Sequence, residues 1–321
     1  MTGESILVTG ANGQIGTVLC EALSKKYGAD AILATDIREN TATAAYTFEK
    51  LDITDKARLE ALVVQYQITQ IYHLAAILSA KGEQNPMFTW NINMNGLFNV
   101  LEVARAQQLR RVFFPSSIAV FGDQSPPVDT PQDTILNPST IYGISKRSGE
   151  LWCDYYHHNF QLDVRSLRYP GIISYQSLAG GGTTDYAVDI FHYAVQGKAY
   201  ECFLSSDTRL PMIYMPDAIR ATLELMEAPK EQIQVRSSYN LAGMSFTPAE
   251  LSNEIRQFIP KFEVSYKPDF RQKIADSWSD SIDDTPARRD WNWQPEFDLS
   301  AMTADMIRQL HKRYPQTQIS I

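Results

Sequence analysis

Ser5–Gly16 reads SILVTGANGQIG, an apolar run that breaks into three spaced glycines and then opens a helical stretch. Ser5–Thr9 predicts a strand, and Gln14–Tyr27 predicts a helix with Ile15, Val18, Leu19, Ala22 and Leu23 on one face. Gly10, Gly13 and Gly16 lie between them, where backbone N–H groups and the positive end of a helix can hold a pyrophosphate. Gly10 permits the tight turn, Gly13 lets backbone approach phosphate, and Gly16 lets helix and strand pack closely. Asn12, Gln14 and Ile15 complete the cradle. Such turns also close ordinary βα units, so the next carboxylate matters. Asp36 ends the following apolar run, AILAT (Ala31–Thr35), 20 residues beyond Gly16 (36 − 16 = 20). There it can accept both hydroxyls of a ribose and repel a 2′-phosphate, which favours NAD over NADP. Ile37 and Arg38 follow it, and Arg38 keeps a 2′-phosphate open as an alternative. Asp52 and Ile53, in LDITD, either flank the adenine or sit in a plain loop.

Outward from this unit, short apolar runs alternate with helical stretches, the pattern of a doubly wound parallel sheet with helices on both faces. Helices are predicted over Ala57–Gln65, Met87–Ala106 and Ile141–Phe160. Strands are predicted over Gln70–Leu74, Arg111–Pro115 and Asp163–Arg168. Pro126–Pro138 carries four prolines and reads as a loop, and Gly180–Gly182 marks a second irregular segment. Beyond it the alternation loosens into helices at Asp185–Gln196, Pro216–Glu227 and Pro248–Phe258, with a strand near Ser238–Leu241. The expected organisation is a dinucleotide-binding Rossmann domain over 1–170, to which segments near 210–245 return, and a smaller α/β substrate domain over 171–321.

Composition narrows the class. A net charge of −8, with no basic cluster longer than a pair such as Arg110-Arg111, argues against a nucleic-acid-binding face. Three widely spaced cysteines predict free thiols in a reducing compartment, and the five histidines show no metal-ligand spacing. No apolar run approaches the ~20 residues that span a bilayer. The first strand begins within five residues of Met1, which leaves no room for a targeting peptide. A cytoplasmic enzyme without membrane or nucleic-acid partners is expected.

YGISK places Tyr142 and Lys146 four apart on a predicted helix, hence on one face, and Ser117 lies 25 residues before the tyrosine (142 − 117 = 25). A Tyr–Lys pair at this spacing is expected by chance in a chain with 16 tyrosines. Its weight comes from sharing a sheet edge with the glycine turn, Asp36 and a serine at the end of the fourth strand. Tyrosine is a base only if its pKa falls by about 2–3 units, which needs roughly 3–4 kcal/mol from nearby positive charge. Ser117 can hold the substrate oxygen.

TGANGQIG, LDITD, HLAA (His73–Ala76), the NxxG of Asn93–Gly96, SSIAVFG and YGISK occur in the order of the extended short-chain dehydrogenase/reductase family, which the chain resembles over nearly its whole length. The resemblance implies a Ser117–Tyr142–Lys146 triad, with Lys146 also on the nicotinamide ribose. It also places Leu74, Ala75, Ala76, Asn93 and Ile172 beside the cofactor. Phe121 departs from the tyrosine commoner at its place. RYPGIIS (Arg168–Ser174), GGGTTDYAVDIFHYAV (Gly180–Val195), LPMIYMPDAI (Leu210–Ile219) and SWSDSIDDTPARRDWNW (Ser277–Trp293) resemble the short-chain type of L-threonine 3-dehydrogenase. That resemblance implies oxidation of the β-hydroxyl of L-threonine with NAD. It also implies a homodimer through the helices Met87–Ala106 and Ile141–Phe160, with Leu97, Leu101 and Trp152 as contacts.

A threonine site needs donors for a carboxylate and acceptors for an ammonium. Gly182, Thr183 and Thr184, before a predicted helix, offer donors, although the threonines could equally cap that helix. Ser79 offers another donor. Trp278 either closes over the pocket or packs in the core. Arg209 and Asp217 read as structural pairs or caps. Two alternatives stand beside this reading: a nucleotide-sugar epimerase or dehydratase on the same scaffold, and a non-catalytic NAD-sensing protein.

Overall fold

In chain order the strands are β1 (Ile6–Thr9), β2 (Ile32–Asp36), β3 (Thr47–Lys50), β4 (Gln70–His73), β5 (Arg111–Ser117), β6 (Val164–Tyr169), β7 (Gly171–Ile173), β8 (Tyr200–Cys202), β9 (Leu210–Tyr214), β10 (Tyr239–Asn240), β11 (Met244–Phe246) and β12 (Val264–Tyr266). The computed structural model describes residues 3–39, 45–178 and 180–314. Seven strands form one sheet in the order β10-β6-β5-β4-β1-β2-β3, with every neighbouring pair parallel. The chain is wound both ways from β1, as the glycine turn and the βα alternation predict.

Strand alternation explains why both faces are apolar. Ile6 and Val8 point to the side packed by Leu19, Cys20 and Leu23 of the helix Gln14–Tyr27 and by Leu225 of the helix Met215–Glu227. Leu7 points to the other side, among Leu59, Leu62, Leu97 and Leu101. A third core joins the later helices Tyr186–Val195, Pro248–Phe258 and Leu299–Arg313 to Ile118–Phe121 just beyond β5. The cavity described below lies at the carboxyl edge of β5, between that third core and the large sheet.

Three predicted helices, Gln14–Tyr27, Ile141–Phe160 and Pro248–Phe258, have the predicted bounds. The predicted helix Met87–Ala106 is interrupted by a wide π-type turn at Asn91–Asn95, between Pro86–Trp90 and Gly96–Ala106. Leu97 and Leu101 are fully buried inside the sheet-side core, so they cannot meet a second chain. Their place on a helix that packs on the sheet accounts for their apolarity. Trp152 does reach the surface, with 39% of its area exposed. Cys20, Cys153 and Cys202 are free and buried. Among the described residues no helix is long and apolar enough to cross a membrane, and no cluster of three metal-ligating side chains occurs.

One buried ion pair locks the helix Ile141–Phe160 to the sheet. Glu150 is fully buried and accepts from Arg168 Nε at 2.8 Å and Nη2 at 3.0 Å, and from Ser116 Oγ at 2.6 Å. Arg168 also donates from Nη1 to Asn240 Oδ1 at 3.0 Å and to the Gln132 carbonyl at 3.1 Å. The proline-rich loop, β5, β6 and β10 therefore meet at one ion pair. Glu150→Ala leaves a guanidinium buried without its counter-charge and should cost roughly 3–5 kcal/mol, read as a lowered urea midpoint. A midpoint within experimental error of the wild type would refute the linchpin role.

Candidate active site

The glycine turn is built as a cradle. Gly10 adopts φ +70°, and a Cβ there would lie 2.7 Å from the Ala75 nitrogen. At Gly16 a Cβ would lie 2.3 Å from the Gly10 carbonyl oxygen, so only glycine lets the helix Gln14–Tyr27 start this close to β1. No side chain caps that helix, and its first turn, Gly13 to Gly16, opens into a cavity. Asp36 ends β2, is buried, and accepts from the Asn12 N–H at 3.0 Å and from the Arg38 N–H at 3.0 Å. Arg38 folds back onto Asp36 (Nε to Oδ1, 3.3 Å) and onto the Asn12 carbonyl (3.1 Å), so its guanidinium is partly spent. A carboxylate tied to an uncapped glycine turn suits a dinucleotide that has free ribose hydroxyls. These residues fit NAD.

The cavity, about 220 Å³, gathers Gly10, Gly13, Gln14, Ile15 and Gly16 on one side with Leu74, Ala76 and Ile172. Ser117, Tyr142 and Lys146 stand in its middle, and Ser79, Gly182, Thr183, Thr184 and Trp278 close its far end. The other predicted positions lie outside the lining. Ile37 is exposed. Ala75 donates its N–H to Thr9 Oγ1 at 3.3 Å behind the turn. Asp52 is exposed and accepts from the Thr54 N–H at 2.9 Å, while Ile53 is buried against Gly96. Asn93, in the π-type turn, has its amide engaged by the Ile77 N–H (2.8 Å), the Ile77 carbonyl (3.1 Å) and Ser145 Oγ (3.1 Å). Its side chain thus pins the loop after β4 to the helix Ile141–Phe160.

The Thr140 side chain caps that helix at the Gly143 N–H, 3.0 Å away, and so fixes the first turn, which carries Tyr142. The Tyr142 hydroxyl pairs with Ser117. Lys146 is buried, donates to the Pro115 carbonyl at 2.6 Å, and holds its ammonium 5.5 Å from the centroid of the Tyr142 ring. Without a dinucleotide the electrostatics of the site favour the neutral phenol. Burial pushes the Tyr142 phenol up to about 12, and only the Ser117 hydrogen bond works against it. Burial also brings Lys146 down to about 8. On balance the chain's own groups raise the phenol's pKa, because burial outweighs the Ser117 hydrogen bond.

At the far end, Ser79 Oγ and Thr183 Oγ1 lie 3.3 Å apart, both buried. Neither threonine caps the following helix, because that helix begins at Tyr186 with Asp185 at its N-cap. Asp185 turns its carboxylate back to accept from the Gly181 N–H at 2.7 Å and the Gly182 N–H at 2.6 Å. The Gly182 donor predicted for a substrate carboxylate is therefore taken. In exchange the cavity gains Asp185, whose carboxyl burial pushes upward in pKa. Asp185 is not among the expected site residues, and TTD at a helix start is the signal for it in the sequence. Arg209 is committed to the Ser245 carbonyl (3.0 Å) and to Glu250 (2.5 Å), and Asp217 accepts the Glu296 N–H at 3.0 Å and the Phe297 N–H at 3.0 Å.

The chain belongs to the NAD dependent epimerase/dehydratase family, whose model matches residues 6–242. Within that breadth, a GalE-like L-threonine dehydrogenase from Cupriavidus necator, solved in holo form, is 54% identical with TM-score 0.94, over 95% of this chain and 99% of that one. A monomeric L-threonine 3-dehydrogenase from a metagenome, solved in apo form, is 51% identical with TM-score 0.94, over 96% and 99%. An uncharacterized epimerase/dehydratase of Staphylococcus saprophyticus is 48% identical over 308 residues, 95% of this chain and 96% of that protein.

His73, which ends β4, sits directly behind the turn. It is buried, bonded through Nδ1 to Thr9 Oγ1 at 2.9 Å, and lowered to about 3 by burial and by Lys146. An unfolded histidine takes a proton near its ordinary value of 6.5, so stability is complete above that pH and drains as pH falls from 6.5 toward 3. Urea midpoints for wild type and His73→Asn should diverge at neutral pH and converge in acid. Parallel curves would show that His73 adds nothing to acid sensitivity.

Proposed function

We propose that this protein oxidises the β-hydroxyl of L-threonine with NAD, giving 2-amino-3-oxobutyrate and NADH. The reading rests most on one observation. Ser117, Tyr142 and Lys146 share a cavity of about 220 Å³ with the glycine turn on one side and Ser79, Thr183 and Asp185 on the other. The far end offers a carboxylate beside hydroxyl groups, the pairing that a small zwitterion needs. Its relatives at 54% and 51% identity carry the name threonine dehydrogenase. Arg209 is bonded to Glu250 and the Ser245 carbonyl, so a diphosphate there would have to compete with a carboxylate already in place, which weighs against a nucleotide-sugar substrate. An intact proton-transfer pair weighs against a purely sensing role.

In this scheme the Asp185 carboxylate faces the substrate ammonium, and the hydroxyls of Ser79, Thr183 and Thr184 face its carboxylate. Ser117 holds the substrate oxygen and Tyr142 Oη receives its proton. NAD, when bound across the glycine turn, supplies the hydride acceptor. Lys146, one helical turn from the phenol, meets ribose hydroxyls together with Asp36. Residues 1–170, with segments near 210–245, make the dinucleotide part, and 171–321 mainly the substrate part. Three buried free thiols fit a reducing cytoplasm.

The chain also presents Met87, Phe88, Leu151, Trp152 and Tyr155 to solvent on neighbouring helices, with Met87 75% exposed. We propose a homodimer through this face, with Leu97 and Leu101 excluded from it. Sedimentation velocity should give twice the chain mass, and Leu151→Glu should return it to one. A single-chain mass for the wild type at every concentration would rule this out.

The purified protein should reduce NAD with L-threonine, and Tyr142→Phe should lower kcat by several orders of magnitude while NAD still binds. Because burial holds the free phenol at about 12, kcat/KM should rise with pH from about pH 7 to about pH 9. Turnover in the phenylalanine variant near the wild-type rate would remove Tyr142 from the mechanism. Absence of NADH formation with any amino acid would remove the threonine reading.

A further inference from the structure

Trp278 lines two cavities. One is the cavity that holds Tyr142, and the other, of about 420 Å³, lies outside it and is walled by Asp207, Thr208, Arg209, Gln272, Asp276 and Asp280 among others. No other residue is common to the two linings. The indole is 8% exposed and is set firmly in place. Its own N–H backbone donates to the Ala275 carbonyl at 3.0 Å. The preceding Ser277 donates to the Ile274 carbonyl at 2.7 Å and reaches Ser139 Oγ at 3.3 Å, three residues before Tyr142. Two residues on, the Asp280 N–H is held by the Pro127 carbonyl at 2.7 Å. The backbone that carries the ring is thus held in place, and the ring itself packs in the core of the later helices.

The outer cavity has a chemistry of its own. Asp207, Asp276 and Asp280 bring three carboxylates, while its one guanidinium, Arg209, is bonded to Glu250 and the Ser245 carbonyl. The Gln272 amide is spent on Thr208 Oγ1 at 2.9 Å and on Asp276 Oδ1 at 2.5 Å. A substrate chain that entered this space would meet three carboxylates and a single guanidinium already paired with Glu250. It would have to be neutral or cationic.

We infer that Trp278 sets the size limit of the substrate, admitting a methyl-sized group beyond the β-carbon and excluding longer ones. With a smaller residue at this position the two cavities join, and the same chain accepts β-hydroxy amino acids whose side chains run into the outer cavity, anionic ones excepted. The inference rests on the β-hydroxy amino acid reading above. Filling or emptying a pocket by a methylene is worth roughly 10–200-fold in kcat/KM, so removing an indole is a large change.

The test compares wild type, Trp278→Phe and Trp278→Ala on L-threonine, on 3-phenylserine and on 3-hydroxyaspartate of the same configuration, with NADH formation as readout and circular dichroism as the fold control. The expected result is a phenylserine-to-threonine ratio of kcat/KM that rises by at least about tenfold in Trp278→Ala and by less in Trp278→Phe, with no gain for hydroxyaspartate. Folded variants that keep threonine turnover with an unchanged ratio would overturn the size limit alone. An equal gain for hydroxyaspartate would overturn the charge rule. If Trp278→Ala does not fold, Trp278→Phe, which keeps an aromatic ring in the wall, decides by the same ratio. Wild-type protein that binds NADH yet oxidises none of the three would overturn the underlying reading together with this one.

Discussion

Glu150 is where the architecture and the chemistry meet. A carboxylate with no exposed surface is costly to desolvate, and it is tolerated here because Arg168, Arg147 and Ser116 together donate to it. It lies four residues beyond Lys146 and eight beyond Tyr142 on the helix Ile141–Phe160, so fixing it fixes the rotation of both. Ser116, on the other side of the bond, immediately precedes Ser117 in β5. The serine and the tyrosine–lysine pair are therefore positioned by one ionic contact, made from two elements far apart in sequence. Through Arg168 the same contact reaches Asn240 and the proline-rich loop, which are themselves joined by Gln132 Oε1 accepting the Asn240 N–H at 2.7 Å.

Local signals made the first half of the chain readable. The helix Gln14–Tyr27 follows a glycine turn and carries a regular apolar stripe, and the helix Ile141–Phe160 starts at a threonine cap. Asp36 is legible because it ends an apolar run at a fixed distance from the turn. What escapes the sequence depends on contacts at long range. β7, β9 and β11 are three to five residues long and form their own sheet, and nothing local distinguishes them from loop. The π-type turn at Asn91–Asn95 is equally silent, since its helical periodicity reads straight through. Leu97 and Leu101 look like any apolar stripe, and only the sheet beneath them tells core from surface.

The substrate end shows the same division. TT before a helix suggests caps or anion donors, and either reading assumes that the helix N-terminus is free. Asp185 changes that by folding back on the two glycines, which removes two N–H donors and places a carboxylate in the cavity instead. The loop thus becomes an acceptor for positive charge at one point and a hydroxyl donor at another, as a zwitterion requires. No composition or spacing rule gives that result, because it depends on which way one side chain turns.

Burial is the condition that links these parts. It moves Tyr142 up to about 12 and Lys146 down to about 8, so each is pushed toward its neutral form. A site arranged only to ionise the phenol would have placed the ammonium closer and left it solvated. Here the ammonium leans on the Pro115 carbonyl and on the Phe114 ring, 4.7 Å from its centroid, and gives the phenol little direct help. The same low polarity that keeps Tyr142 protonated also magnifies any positive charge that enters the cavity beside it. The proton-accepting form is therefore not a standing property of the chain. A positive group bound at the glycine cradle would favour the phenolate, so ionisation of Tyr142 would follow occupancy of that site.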